Sequence, residues 1–92
     1  GAQEQNWSRR MKANSERLKL GDLPTTASVV RDLIRRQEEH GLSPNEREML
    51  KTSSRLVLAE LALSLAIEED AAEELLRAAV LGLETAAEPA QA

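Results

Sequence analysis

The stretch Gly41-Leu42-Ser43-Pro44-Asn45-Glu46-Arg47-Glu48-Met49-Leu50 decides how this chain is read. Ser43 can cap a helix with its hydroxyl, and Glu46, three residues on, can reach back to the Ser43 amide. Pro44 falls at the first helical position, where its missing N–H costs nothing. Gly41 is suited to the left-handed residue that ends the preceding helix. One helix therefore stops at about His40 and another starts at Pro44. Working outward from this boundary, the whole chain reads as helices.

Upstream, Val29-Val30 and Leu33-Ile34 are adjacent apolar pairs four residues apart, the pattern of a buried helical stripe. The spacing predicts a second helix from Asp22–Thr26 to His40, with Arg31, Arg35 and Arg36 on its polar side. Before it, Gly21 closes a first helix expected from about Asn6, with Asn6 as cap, to Leu20. Trp7, Met11, Asn14 and Leu18 share one side of that helix, while Arg9, Arg10, Lys12, Arg17 and Lys19 crowd the rest.

Downstream, the third helix is expected from Pro44 to about Ala66. Met49, Leu50, Leu56, Val57, Leu58, Leu61, Leu63 and Leu65 cover more than one stripe, which predicts the central helix, packed on all sides. A fourth is expected over Glu69–Leu83, with Ala72, Leu75, Leu76, Ala79, Val80 and Leu83 inward. Its start has no strong cap, so one continuous helix bent near Ile67 is the alternative. Residues 1–5 read as a linker or cloning remnant, 6–83 as one helical domain, and 84–92 as a disordered tail. The fold class is all-α, a compact bundle of four to five helices.

Composition excludes several functions. The 92 residues contain no Cys, one His and one Trp, and the formal net charge is −4. Disulfides and Cys-based zinc sites are impossible. No segment approaches the roughly 18 apolar residues that span a bilayer. No secretory signal is present, so the expected setting is cytoplasmic. His40 has no His or Cys companion, the serines have no base partner, and no Gly-rich phosphate loop exists. The acidic cluster Glu68, Glu69, Asp70, Glu73 and Glu74 lacks calcium-loop spacing and suits a solvated helix start. No enzyme, cofactor or metal is expected. A membrane-surface role is disfavoured because the apolar side of the basic first helix is sparse.

The net charge conceals an asymmetry. Residues 1–36 carry +4, residues 37–55 carry −1 and residues 56–92 carry −7. A basic front end on an acidic chain points to an anionic partner at that end. Within it, Asn6-Trp7-Ser8-Arg9-Arg10-Met11-Lys12 sets a lone aromatic beside three cations. Trp7 has two readings. It fills the core, as its stripe with Met11 and Leu18 suggests. Alternatively it is a wedge that inserts at an unstacked base step while cations hold phosphates.

These residues carry a resemblance. Asn6-Trp7-Ser8-Arg9-Arg10, Lys12-Ala13-Asn14, Gly21-Asp22, Val29-Val30-Arg31-Asp32-Leu33, Arg35-Arg36, Gly41-Leu42-Ser43, Met49-Leu50 and Glu60-Leu61-Ala62-Leu63 resemble, in order and without gaps, the C-terminal domain of the CarD/CdnL bacterial transcription regulators. Met11, Ile34, His40 and Glu48 depart from residues common there. The resemblance implies a bacterial, cytoplasmic protein whose helical domain contacts promoter DNA near the −10 element. A domain absent from this chain would bind the RNA polymerase β subunit. It implies that Trp7 wedges into the upstream fork of the bubble, that Arg9, Arg10, Lys12 and Arg47 contact DNA, and that the open complex is stabilised without an enzymatic step. The reading of a different class is a helical protein-interaction or dimerisation module, docking through the leucine-rich third helix and the acidic C-terminal half.

Overall fold

The computed structural model describes the backbone of residues 2–82 and the side chains of residue 6 and residues 8–82. Four helices follow one another: α1 (Ala2–Leu18), α2 (Leu23–Glu39), α3 (Pro44–Leu65) and α4 (Glu69–Leu81). Among the described residues there is no strand, and the fold is an all-α bundle. The expected tail at 84–92 lies outside the described residues.

The boundaries follow from their caps. Ser43 and Glu46 form the reciprocal box: the Glu46 amide donates to Ser43 Oγ at 3.2 Å, and the Ser43 amide donates to Glu46 Oε1 at 3.1 Å. At α2, the Thr25 amide donates to Asp22 Oδ2 at 2.9 Å. Hydrogen bonds from Thr25 hold the Asp22 carboxyl below its usual range. The break near Ile67 is a turn and not a bend in one helix. Ala66 adopts φ 56°, and the Ile67 amide donates back to the Ala62 carbonyl at 3.0 Å. This is a left-handed helix stop made without glycine.

Two expectations are corrected. α1 begins at Ala2 and not near Asn6, so Asn6 is an internal residue and not a cap. Ala2, Gln3, Glu4 and Gln5 are all good helix formers, and nothing among them breaks a helix. The second correction concerns the centre of the bundle. α2, not α3, is the central helix. It packs against α1, α3 and α4, and Val29 and Val30 are fully buried, with Leu33 and Ile34 nearly so.

The paired stripe explains α2's position. Neighbouring residues on a helix point about 100° apart, so each pair serves two flanks. Val29 and Leu33 pack with Leu42, Leu18, Met49 and Leu50. Val30 and Ile34 pack with Val57, Leu50, Leu76, Val80 and Leu81. α3 is longer than α2, 22 residues against 17, and it buries Val57 and Ala62 on one side while its other sides stay open. Leu63 is 78% exposed, and Leu56 and Leu65 are about half exposed. No helix among the described residues is long and apolar enough to cross a membrane.

Candidate nucleic-acid interface

The cations of α1 separate into two groups. Arg10 reaches across to α3, where its Nε donates to Glu46 Oε2 at 3.3 Å. Arg17 reaches α2. Its Nη1 lies 3.1 Å from Asp32 Oδ2 and donates also to Asn14 Oδ1, and its Nη2 donates to Ser28 Oγ. Asn14, an uncharged member of the expected apolar stripe, is buried and serves as an acceptor for this clamp. Lys19 pairs with Glu16 at 3.5 Å on the open surface, an arrangement worth little in water.

Arg9 and Lys12 form the other group. They lie three residues apart and so share one side of α1. Helical register sets that side opposite the Met11–Asn14–Leu18 stripe. Both are exposed, and among the described residues neither has an ion-pair partner. Arg9 and Lys12, with Glu16 one turn further along the same side and paired to Lys19, form a small strip of net positive charge on a chain of net charge −4. Trp7 belongs to α1 by its backbone. Its side chain lies outside the described residues.

Arg47 occupies the first turn of α3, where the helix dipole disfavours a cation. Its Nη1 donates to the Leu42 carbonyl at 2.7 Å. It stands on the flank of α3 that faces α4, lining a groove with Lys51, Arg55, Leu76 and Arg77. The other flank of α3, with Glu48, Met49 and Leu56, lines a groove with Met11 and Leu18 of α1. The structure therefore joins Arg10 to the start of α3 but sets Arg47 around the helix from the Arg9–Lys12 strip.

Glu46 is the polar centre of this region, and its side chain is only 2% exposed. Burial is the largest influence on its ionisation and opposes it. Hydrogen bonds from the Ser43 amide and hydroxyl, and from Arg10 with its charge, together outweigh burial and hold the carboxyl below its usual range. Arg36 of α2 approaches the same oxygen, Nε to Oε2 at 4.0 Å. The capping role of Glu46 is visible in sequence. Its link to Arg10, 36 residues away, has no local signal, and neither does the Arg17–Asp32 clamp.

The remaining candidates are surface features. His40 caps α2 and is exposed, with Nε2 3.9 Å from Glu39 Oε1. Glu68, Glu69, Asp70, Glu73 and Glu74 are all exposed. The hydroxyls of Ser53 and Ser54 donate back to carbonyls of α3.

Residues 1–77 match the sequence model of the family described as CarD, C-terminal domain. The chain belongs to that family. The resemblance carried by the motifs from Asn6 to Leu63 thus holds at family level. A Bacillus subtilis (strain 168) protein named "Putative transcription factor YdeB" is 36% identical over 55 residues. The match takes in 60% of this chain and 36% of that protein. The chain spans about a third of that relative's length. As a CarD C-terminal domain, it offers, among the described residues, four helices, the basic first of which turns outward two cations without an ion-pair partner there.

Proposed function

We propose that this domain is the DNA-contacting module of a bacterial, cytoplasmic transcription-initiation regulator and carries no catalytic step. The observation that supports it most is the strip of Arg9 and Lys12, exposed and unpaired among the described residues, on the helix that bears Trp7. Membership of the CarD family supports the class of partner. In this reading Arg9 and Lys12 hold phosphates of promoter DNA near the −10 element. Trp7 braces the upstream fork of the bubble, where unstacking is already under way and insertion is cheapest. Arg10 orients α1 through Glu46 and contributes its remaining donors. Arg47 contacts the strand from the start of α3. A separate domain of the full-length protein binds the RNA polymerase β subunit.

The test is Trp7→Ala in the full-length protein. Open-complex lifetime should fall while the melting temperature stays within a few degrees of the parent. A variant that melts much earlier, with promoter activity following only the melting, makes Trp7 a core residue and ends the wedge reading.

The exposed Leu56, Leu63 and Leu65 favour a second reading, a helical protein-interaction or dimerisation module. Light scattering separates the two. A stable dimer that occludes α1 supports the interaction module, and a monomer whose Trp7 fluorescence responds to forked DNA supports the first reading.

A further inference from the structure

A second basic surface lies away from α1. α2, α3 and α4 form a groove of about 390 Å³, and no residue of α1 lines it. Its floor is apolar, built from Ile34, Leu50, Leu58 and Leu76. Its edges carry four cations, Arg47, Lys51 and Arg55 of α3 and Arg77 of α4, against one acid, Glu73. None of these five charges has an ion-pair partner among the described residues. Two of the cations are held in place by uncharged acceptors. Arg47 Nη1 donates to the Leu42 carbonyl at 2.7 Å, and Arg77 Nη2 donates to Gln37 Oε1 at 3.4 Å. Lys51 and Arg55 are exposed.

The cations of α3 are ordered. Arg47, Lys51 and Arg55 recur every four residues, so they stand in a row along one side of the helix, about 6 Å apart. The acids outside the groove are Glu38 of α2, Glu48 of α3 and Glu69, Asp70 and Glu74 of α4, all exposed. Glu48 lines the other flank of α3. α3 and α4 are joined by the short turn at residues 66–68, so Glu69 and Asp70 lie toward the end of α3 and away from Arg47 and Lys51. The groove is therefore polarised along its length, basic where α3 begins and acidic where α4 begins.

An apolar floor with charged edges is the anatomy of a groove that receives an amphipathic helix. Acids four residues apart on such a helix repeat at the same 6 Å rise as the row on α3. A helix with acids in its first turns and a base in its last is also the one its own dipole favours, and it matches the polarity of the groove. A nucleic-acid strand matches it less well. Its unbroken negative charge meets Glu73 and the acids beyond, and no aromatic residue lines the groove to stack a base.

We propose that this groove docks a helix of a protein partner, whose apolar stripe meets the floor and whose Glu or Asp residues, four apart, pair with Lys51, Arg55 and Arg77. The site uses no residue of α1 and does not rest on the DNA reading. Arg47 is the one residue common to both, and the test leaves it untouched.

The experiment follows the backbone amides of the full 92-residue chain by nitrogen-15 NMR. The probe is a synthetic helical peptide with a leucine stripe edged by Glu at every fourth position. The controls are a shuffled peptide of the same composition and a mixed-sequence single-stranded DNA. The first peptide should shift Lys51, Arg55, Leu58, Leu76 and Arg77 saturably, and the shuffled one should not. Lys51→Glu/Arg55→Glu, at exposed positions whose fold circular dichroism verifies, should weaken binding about tenfold. A peptide with its edge Glu replaced by Lys should bind this variant better than it binds the parent, an exchange that a merely structural role would not produce. If both peptides shift the groove alike, or neither does, the proposal is overturned. It is overturned equally if only the DNA shifts these amides, which makes the groove a nucleic-acid surface. The same holds if they shift with protein concentration alone, which makes the occupant a second copy. A forked duplex added separately reports on Arg9 and Lys12, so the DNA reading stands or falls on other signals.

Discussion

The two sides of α1 use the same residue types for opposite purposes. On the inner flank, Arg10 and Arg17 end on acceptors supplied by α2 and α3. On the outer face, Arg9 and Lys12 are exposed and end on nothing among the described residues. The difference lies in position alone, since the sequence alternates these residues within a few positions. Arg17, with a carboxylate, an amide oxygen and a hydroxyl around it, has few donors left for a ligand, and Arg10 has committed its Nε–H to Glu46 and keeps the rest. A cation in water without a counter-ion has all of its donors. The comparison teaches that counting basic residues overstates a binding surface, and that the partners of each cation define it.

The largest expected effect is on the inner side. Glu46→Ala removes the capping box and leaves Arg10 and Arg36 without their shared carboxylate. Both arginines are about a third exposed and can rehydrate, so the loss should be about 2–3 kcal/mol, below that for a fully buried pair. Urea unfolding followed by circular dichroism measures it. The pH dependence has a definite sign. The folded-state pKa of Glu46 is lowered from 4.5. Its contribution is therefore complete above that value and is lost as pH falls through the lower folded-state pKa. The parent should lose stability on this acid limb, and Glu46→Ala should lose less over the same range. An unchanged acid limb removes Glu46 from the account.

Arg17→Ala should cost about 1 kcal/mol, because its pair with Asp32 is partly solvated but it also bonds Asn14 and Ser28. Its effect on DNA binding at temperatures where the domain remains folded should be negligible. A specific loss of DNA affinity would erase the distinction between the two sides of α1. Ala66→Gly acts outside both and calibrates them. It relieves a left-handed alanine and should stabilise the domain by about 1 kcal/mol, with no change in binding.

Most of the fold was legible because its signals are local. Ser43, Pro44 and Glu46 lie within one turn, and the box they form is present. Val29-Val30 and Leu33-Ile34 announce a buried stripe, and they are the core. The misjudged centre shows the limit of such patterns. Leu56, Leu63 and Leu65 make α3 look buried on every side, but a pattern of apolar residues does not reveal which of those sides meets a neighbouring helix and which stays exposed. The start of α1 was misplaced because Asn6 resembles a cap, yet a run of helix formers before it carries the helix through. The candidate interface was less legible. Arg9, Arg10, Lys12 and Arg47 look equivalent in sequence. Only tertiary contacts distinguish the arginine tied to Glu46, the arginine anchored on the Leu42 carbonyl, and the two cations left to solvent. The same holds for Arg36, which no motif distinguishes from Arg35.

The smallest expected effect on stability accompanies the test that bears most directly on the central claim. Arg9→Ala and Lys12→Ala should each change stability by less than about 0.5 kcal/mol, as exposed positions do. Binding of a forked promoter duplex should nevertheless weaken, and the slope of log affinity against log salt should lose about one unit for each cation removed. That slope, measured for the parent and for the Arg9→Ala/Lys12→Ala double variant, is the decisive quantity. The account predicts a slope shallower by about two. An unchanged slope, or a salt-independent interaction, would contradict it.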